Sequence, residues 1–270
     1  MDLRTMSGLP LSIDAQGKLR VDSEVVVDEY RTRVLDELTA VYLDPQACRG
    51  QQVAYEMFNG VYARKDLPRL EGLAVRYELT LFPALLIGSE YVKTLGHIHL
   101  PESRSGIDNP EICEVVLGRA HFFFMKLNPD GTSASEAFFV EVSAGQKIII
   151  PPGYDHLTIN PGPGPMLFAD VIALGVGGNY ARMKAAGGAA YLEVEKNGSA
   201  AFIPNPRHVS HPPLHQLGVM EFPEIHLTAE QPLYTAFVES RAQDWEFLWR
   251  PELYRDQYPG LDSIFNRDSF

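Results

Sequence analysis

An all-β jelly roll with irregular ends is the fold the sequence predicts, and three features predict it. Between residues 52 and 172 the chain is a succession of short runs rich in Val, Ile, Phe, Tyr and Thr. Gly, Pro, Asn and Asp stand at their junctions, as turns between antiparallel strands require. The runs recur at the close pitch typical of a β-sandwich or jelly roll, with no internal repeat or low-complexity tract.

The runs are Val53–Phe58, Leu73–Phe82, Ser89–His99, Glu111–Leu117, Ala120–Leu127, Ala137–Val142, Lys147–Ile150, Leu157–Asn160 and Leu167–Ile172. Asn128-Pro129-Asp130-Gly131 and Ser143-Ala144-Gly145-Gln146 read as hairpin turns, and Ala190–Glu195 with Ala200–Pro204 as a further pair around Asn197-Gly198. Upstream, Tyr30, Val34, Leu38 and Val41 recur at helical spacing from Asp28 to Asp44-Pro45, so an amphipathic helix is expected there. Downstream, residues 205–232 read as a Pro- and His-rich loop. Leu233, Phe237, Trp245 and Trp249, spaced in multiples of four, predict an aromatic helix packed on the body. The expected organisation is an N-terminal arm and helix (1–50), a metal-binding domain (51–206) and a helical and loop extension (207–270).

The 270 residues are 45% hydrophobic and 21% charged, ordinary globular usage that excludes disorder and coiled coil as global descriptions. Thirty-five acidic against 23 basic residues give a formal charge of −12, which opposes nucleic acid and anionic membranes as partners. An anionic substrate then needs a local positive feature, a metal ion or a well-placed Lys. Two cysteines supply no disulfide framework, and no run approaches the roughly 18 apolar residues of a membrane span. The chain opens without the apolar stretch of a signal peptide, so a reducing cytoplasm is the expected compartment.

The chemistry concentrates in Gly96-His97-Ile98-His99, Glu111 and Pro151-Pro152-Gly153-Tyr154-Asp155-His156. Side chains at i and i+2 share one face of a strand, so His97 and His99 can point together into a barrel lumen. A turn-rich stretch (Pro101, Ser103, Ser105, Gly106, Asp108, Asn109, Pro110) lets the chain double back to Glu111, and the Pro-Pro-Gly turn can bring in His156. Three imidazoles and a carboxylate suit a divalent transition ion better than Mg2+ or Ca2+, which favour oxygen shells.

This constellation resembles the two signature stretches of the cupin superfamily. Thr80, Gly88-Ser89-Glu90-Tyr91, Thr94-x-Gly96-His97-x-His99, Glu111 and Pro151-Pro152-x-x-x-His156-x-x-x-Asn160 are, more narrowly, similar to the cupin-type glucose-6-phosphate isomerases. The likeness covers residues 50–206. It implies a double-stranded β-helix; one divalent ion (Fe2+ first, with Mn2+, Ni2+, Co2+ or Zn2+ as alternatives) on His97, His99, Glu111 and His156; and a sugar phosphate met by Thr80, Thr94, Gly96 and Tyr180. Glu111 is then also the expected proton shuttle of an aldose–ketose isomerisation through a cis-enediol. A homodimer is expected.

Lys93 shares strand parity with His97 and is a candidate phosphate contact. Thr94 and Gly96 have the opposite parity, so they reach the same pocket only if Gly96 marks a bulge or bend. Cys113, Ile172 and Gly178 stand where the family pattern has a Tyr, a Tyr and a His, and Cys113 is expected to line the pocket beside Glu111. An iron-dependent cupin oxygenase and a non-catalytic sugar-binding cupin are the alternative readings. His208, His211 and His215 mimic ligand spacing but lie among prolines and read as a solvated loop, while His121, opening the Phe122-Phe123-Phe124 run, reads as structural.

Overall fold

The computed structural model describes residues 1–100, 105–257 and 264–266. Ten strands form the body: β1 (Val25–Val34), β2 (Val53–Ala63), β3 (Val75–Phe82), β4 (Glu111–Leu117), β5 (Arg119–Leu127), β6 (Ala134–Ser143), β7 (Lys147–Ile150), β8 (Asp155–Ile159), β9 (Met166–Ala173) and β10 (Leu214–Val219). One sheet has the order β7-β4-β9-β3-β2-β1; the other runs β8-β5-β6-β10 and ends on Phe265–Asn266. The chain passes between the two sheets from β4 to β5 and again at each step from β6 to β10, which is the jelly-roll, double-stranded β-helix arrangement of a cupin. Among the described residues no helix is long and apolar enough to cross a membrane.

The expected N-terminal helix is absent, and its first half is the strand β1. Four of the ten residues from 25 to 34 are Val and one is Thr, and β-branched side chains favour the pleated strand. The pairing of β1 with β2 then fixes the extended form, leaving only a single 3-10 turn at Leu35–Leu38. Tertiary pairing outweighs a period of four carried by few residues. Residues 205–232 likewise hold a strand that the loop reading misses, β10, which lies parallel to β6.

Strand β5 is buried on both faces. Phe124 stacks on Phe138 at 4.7 Å inside the barrel, whereas Phe123 meets Phe202 of the hairpin Tyr191–Lys196/Ser199–Pro204 on the outer side. The outer face of the other sheet is covered by the C-terminal extension. The aromatic segment there is helix only at α1 (Leu233–Glu239); extended backbone at Ser240 breaks it, and 3-10 turns follow at Ala242–Leu248. Tyr77 of β3 meets Tyr234 edge-on at 5.2 Å and Phe237 at 6.2 Å. Polar tethers fix the same contact. Leu233 N–H donates to Glu114 Oε2 at 2.8 Å, Glu114 pairs with Lys147 at 2.8 Å, and Ala63 N–H donates to Tyr234 Oη at 2.8 Å.

His121 holds the hairpin onto the barrel. Its Nδ1 lies 2.6 Å from Glu193 and its Nε2 2.9 Å from Glu141, so both nitrogens face carboxylates and both carry protons. Burial disfavours that charge, but the two carboxylates outweigh it and the imidazole pKa is raised. The stabilisation is complete below the unfolded imidazole value of about 6.5 and is lost as pH rises through the raised folded value. Thermal melts of the wild type and His121→Gln at stepped pH should therefore show the largest gap below about pH 6.5, narrowing as the imidazolium deprotonates. A gap constant with pH excludes the charged bridge.

Candidate metal centre

Backbone pairing builds the site. The segment Thr94–His97 lies against β8, with Thr94 N–H donating to Thr158 O at 2.9 Å, His97 N–H to His156 O at 3.0 Å, and His156 N–H to His97 O at 2.8 Å. This pairing sets two histidines from distant stretches directly opposite each other, their rings 4.6 Å apart. On the other side His99 pairs with Gly178, and Leu100 N–H donates to Gly177 O at 2.8 Å. Gly96 adopts φ +80°, the bend required for Thr94 and Gly96 to share one pocket with His97 and His99.

The ring nitrogens of His97, His99 and His156 lie within 4.8 Å of one another. The tautomers follow from main-chain acceptors: His99 Nδ1 is 2.7 Å from Asn109 O and His156 Nδ1 is 3.2 Å from Tyr154 O, so both Nδ1 atoms carry the proton. Each Nε2 is thereby the nitrogen available to an ion. His99 Nε2 is buried with no hydrogen-bond partner; Glu111 Oε2 stands 3.1 Å away without hydrogen-bond alignment, and 4.0 Å from His156 Nε2. Burial, then the neighbouring imidazoles, hold His97 well below the usual imidazole range, and burial with His99 brings His156 down to about 4. Both are neutral at physiological pH, as metal ligands must be. Burial alone would raise Glu111 and lower His99, but the contact between them outweighs burial in both, lowering the carboxyl and raising the imidazole, whose Nε2 proton an incoming ion would displace. Orphaned, converging lone pairs beside a carboxylate fit a divalent transition ion.

Around this cluster the cavity is lined by Thr80, Thr94, Gly96 and Tyr180, as the resemblance implies, and the Tyr180 ring lies 5.0 Å from that of His97. Lys93 does not join them. Its backbone faces β8, but its side chain is buried against Tyr42, 4.2 Å from the ring centre, in an ion pair with Glu90, whose other oxygen accepts from Leu43 N–H. The bend at Gly96 breaks the parity argument that placed Lys93 beside His97. Cys113 is also not in the lining; it lies fully buried and donates to Glu111 Oε1 at 3.1 Å. Among the other histidines, His208 is buried and not solvated, with Nε2 3.0 Å from Gly188 O, and His211 Nε2 is 2.8 Å from Asn205 O. Pro101 and Ser103 of the expected loop lie outside the described residues.

Residues that the sequence reading missed complete the cavity: Arg33, Arg76, Glu78 and Asp170. Arg33 Nε is buried without a hydrogen-bond partner, although its Nη1 pairs with Glu37 at 2.6 Å. Arg76 is paired with Glu78. Burial, then the charges of Glu111 and Glu78, raise Asp170 well above the carboxylate range. Strand alternation from Tyr55 through β2 could have placed Arg33 inward, had residues 28–44 been read as a strand, since Arg33 and Tyr55 are cross-strand partners.

A jelly roll with three imidazoles converging in its lumen is a cupin barrel with a candidate metal site. A family model described as Glucose-6-phosphate isomerase (GPI) matches residues 32–205. This chain belongs to that family, in its cupin form, and is an enzyme of the isomerase class. The glucose-6-phosphate isomerase of Thermococcus litoralis is 29% identical over 180 residues, covering 65% of this chain and 85% of the relative. That of Pyrococcus furiosus is 26% identical over 197 residues, covering 70% of this chain and 95% of the relative. A solved cupin 2 conserved barrel domain protein from Rhodopseudomonas palustris overlays with 14% identity and a TM-score of 0.29, covering 46% of this chain and 62% of that one.

Gly178 lies directly beside the cluster. A Cβ there would stand 2.6 Å from His97 Cδ2, so Gly178→Ala must displace the ring. Overpacking of this kind costs about 1–3 kcal/mol. We expect a lower melting temperature together with at least a tenfold loss of divalent-ion affinity; unchanged affinity would show that the His97 ring tolerates the shift.

Proposed function

We propose that this chain interconverts glucose 6-phosphate and fructose 6-phosphate, or a close sugar phosphate, with a divalent ion held by His97, His99 and His156 and bordered by Glu111. The observation that carries the reading is the set of converging imidazole nitrogens with one carboxylate beside them. Such an ion, iron first among the candidates, polarises a carbonyl and acidifies the neighbouring C–H bond.

The rest of the chemistry falls to side chains. Glu111 touches two of the three imidazoles and lies outside the compact group formed by their nitrogens. A carboxylate placed so is free to carry a proton between adjacent carbons through a cis-enediol. The Cys113 thiol, donating to Oε1, leaves Oε2 as the oxygen facing the cluster. Thr80, Thr94 and the open backbone at Gly96 supply hydroxyl and N–H donors for the phosphate. Arg33, with a buried unpaired Nε, supplies the local positive charge that the acidic chain needs at this point.

The test of the reaction is a coupled assay for fructose 6-phosphate after chelation and after readdition of single divalent ions. We expect activity to vanish on chelation, to return with Fe2+ or a related ion, and to fall by about 10²-fold or more in Glu111→Gln, the scale of a lost general acid–base group. No turnover with any ion sinks the proposal. Oxygen uptake without isomerisation would instead establish the oxygenase alternative. Deuterium incorporation at C1 or C2 from heavy water supports the enediol route over direct hydride transfer.

Arg33 gives a separate measurement. Loss of a charge-assisted contact of about 1.5–3 kcal/mol corresponds to roughly a 10- to 150-fold rise in KM in Arg33→Ala. Inhibition by inorganic phosphate should weaken in parallel, and a KM within twofold of the wild type removes Arg33 from substrate binding.

A further inference from the structure

The C-terminal extension lies beyond the region matched by the family model, which ends at residue 205. It nevertheless reaches the cluster through one residue. Asn109 is buried, and its two polar ends face opposite ways. Its backbone carbonyl accepts from His99 Nδ1 at 2.7 Å, while its side-chain Nδ2 donates to the carbonyl of Leu248, 139 residues later, at 2.7 Å. Leu248 is itself fully buried. It sits in the 3-10 turns after α1, and Trp245 of the same turns stacks on Phe237 at 5.9 Å and donates through Nε1 to Ile225 O at 3.1 Å. Thus a continuous, buried path of contacts runs from the aromatic packing of the extension to one ring of the cluster.

We infer that Asn109 is a positioning residue through which the extension fixes the tautomer and orientation of His99, so that segment 233–249 is a working part of the metal centre. This rests on the reading of the three imidazoles as a metal site. The physical basis is direct. With Asn109 O held in place, Nδ1 keeps the proton and Nε2 presents its lone pair; if that carbonyl drifts, the ring can exchange tautomers and rotate. Outer partners of ligating histidines typically change metal affinity 10- to 100-fold when altered. The Asn109 tether also spans the turn-rich stretch before Glu111, so it locates the two ends of that stretch relative to each other.

The experiment compares the full-length wild type with Asn109→Ala and the near-isosteric Asn109→Leu, which keeps the packing and removes the donor. Two readouts are taken: the Kd for Co2+ from its visible absorption, and the His99 tautomer in the metal-free protein from 15N-imidazole spectra. We expect a single Nδ1–H tautomer in the wild type, mixed tautomers in both variants, and a Kd raised about 10-fold or more in the variants. Leu248→Ala, which loosens the same carbonyl from the far end of the tether, should shift both readouts in the same direction and serves if the Asn109 variants fail to fold. Folded variants with wild-type Kd and a pure Nδ1–H tautomer overturn the positioning role while leaving the metal centre standing. A wild-type chain that binds no Co2+ overturns both.

Discussion

Everything in the site depends on the pair of main-chain hydrogen bonds between His97 and His156. A reciprocal N–H to carbonyl pair across two strands fixes the Cα atoms at the roughly 5.5 Å of a hydrogen-bonded antiparallel pair. At that spacing both imidazoles necessarily meet in the lumen. His99 completes the group because the chain continues as a strand along Gly178, and Gly178 has no Cβ to push the His97 ring aside. The geometry is thus a product of register: slipping the Thr94–His97 segment by one residue would turn its side chains to the opposite face.

The electrostatic setting is organised with similar economy. The chain as a whole is strongly acidic, and Glu78, Asp170 and Glu111 crowd into one cavity. Their mutual repulsion and burial push Asp170 toward its neutral form, while His99 retains the negative charge at Glu111. The cationic side chains there are placed unequally. Arg76 is committed to Glu78, and Lys93 is buried elsewhere with Glu90; Arg33 alone among these three keeps a buried donor unpaired.

The barrel strands and the histidine cluster are legible in the sequence because each rests on local chemistry: β-branched runs, turn residues, and the i, i+2 spacing of His97 and His99. Strands β4 and β7 begin and end at the residues expected from the sequence. The bend at Gly96 followed from parity alone. What was not legible depends on distant partners. Residues 25–34 become a strand because β2 offers them an edge, and β10 forms because β6 lies open beside it. Lys93 fell to the same blindness, since nothing in the neighbouring sequence announces that Tyr42 and Glu90 enclose its ammonium group. Arg33 was hidden behind the helix assignment, and Asp170 sat in a run that read as plain core.

Strand β1 closes one sheet and leaves a row of backbone groups open to solvent, the usual starting point for sheet-to-sheet polymerisation. Its middle carries Asp28, Glu29, Arg31 and Arg33 in quick succession, with an exposed Tyr30 among them. An incoming strand would have to match two acidic side chains followed by two basic ones and strip water from several ionic groups at once. The same stretch that supplies a cation to the interior therefore also guards the molecule's border against fibrous growth.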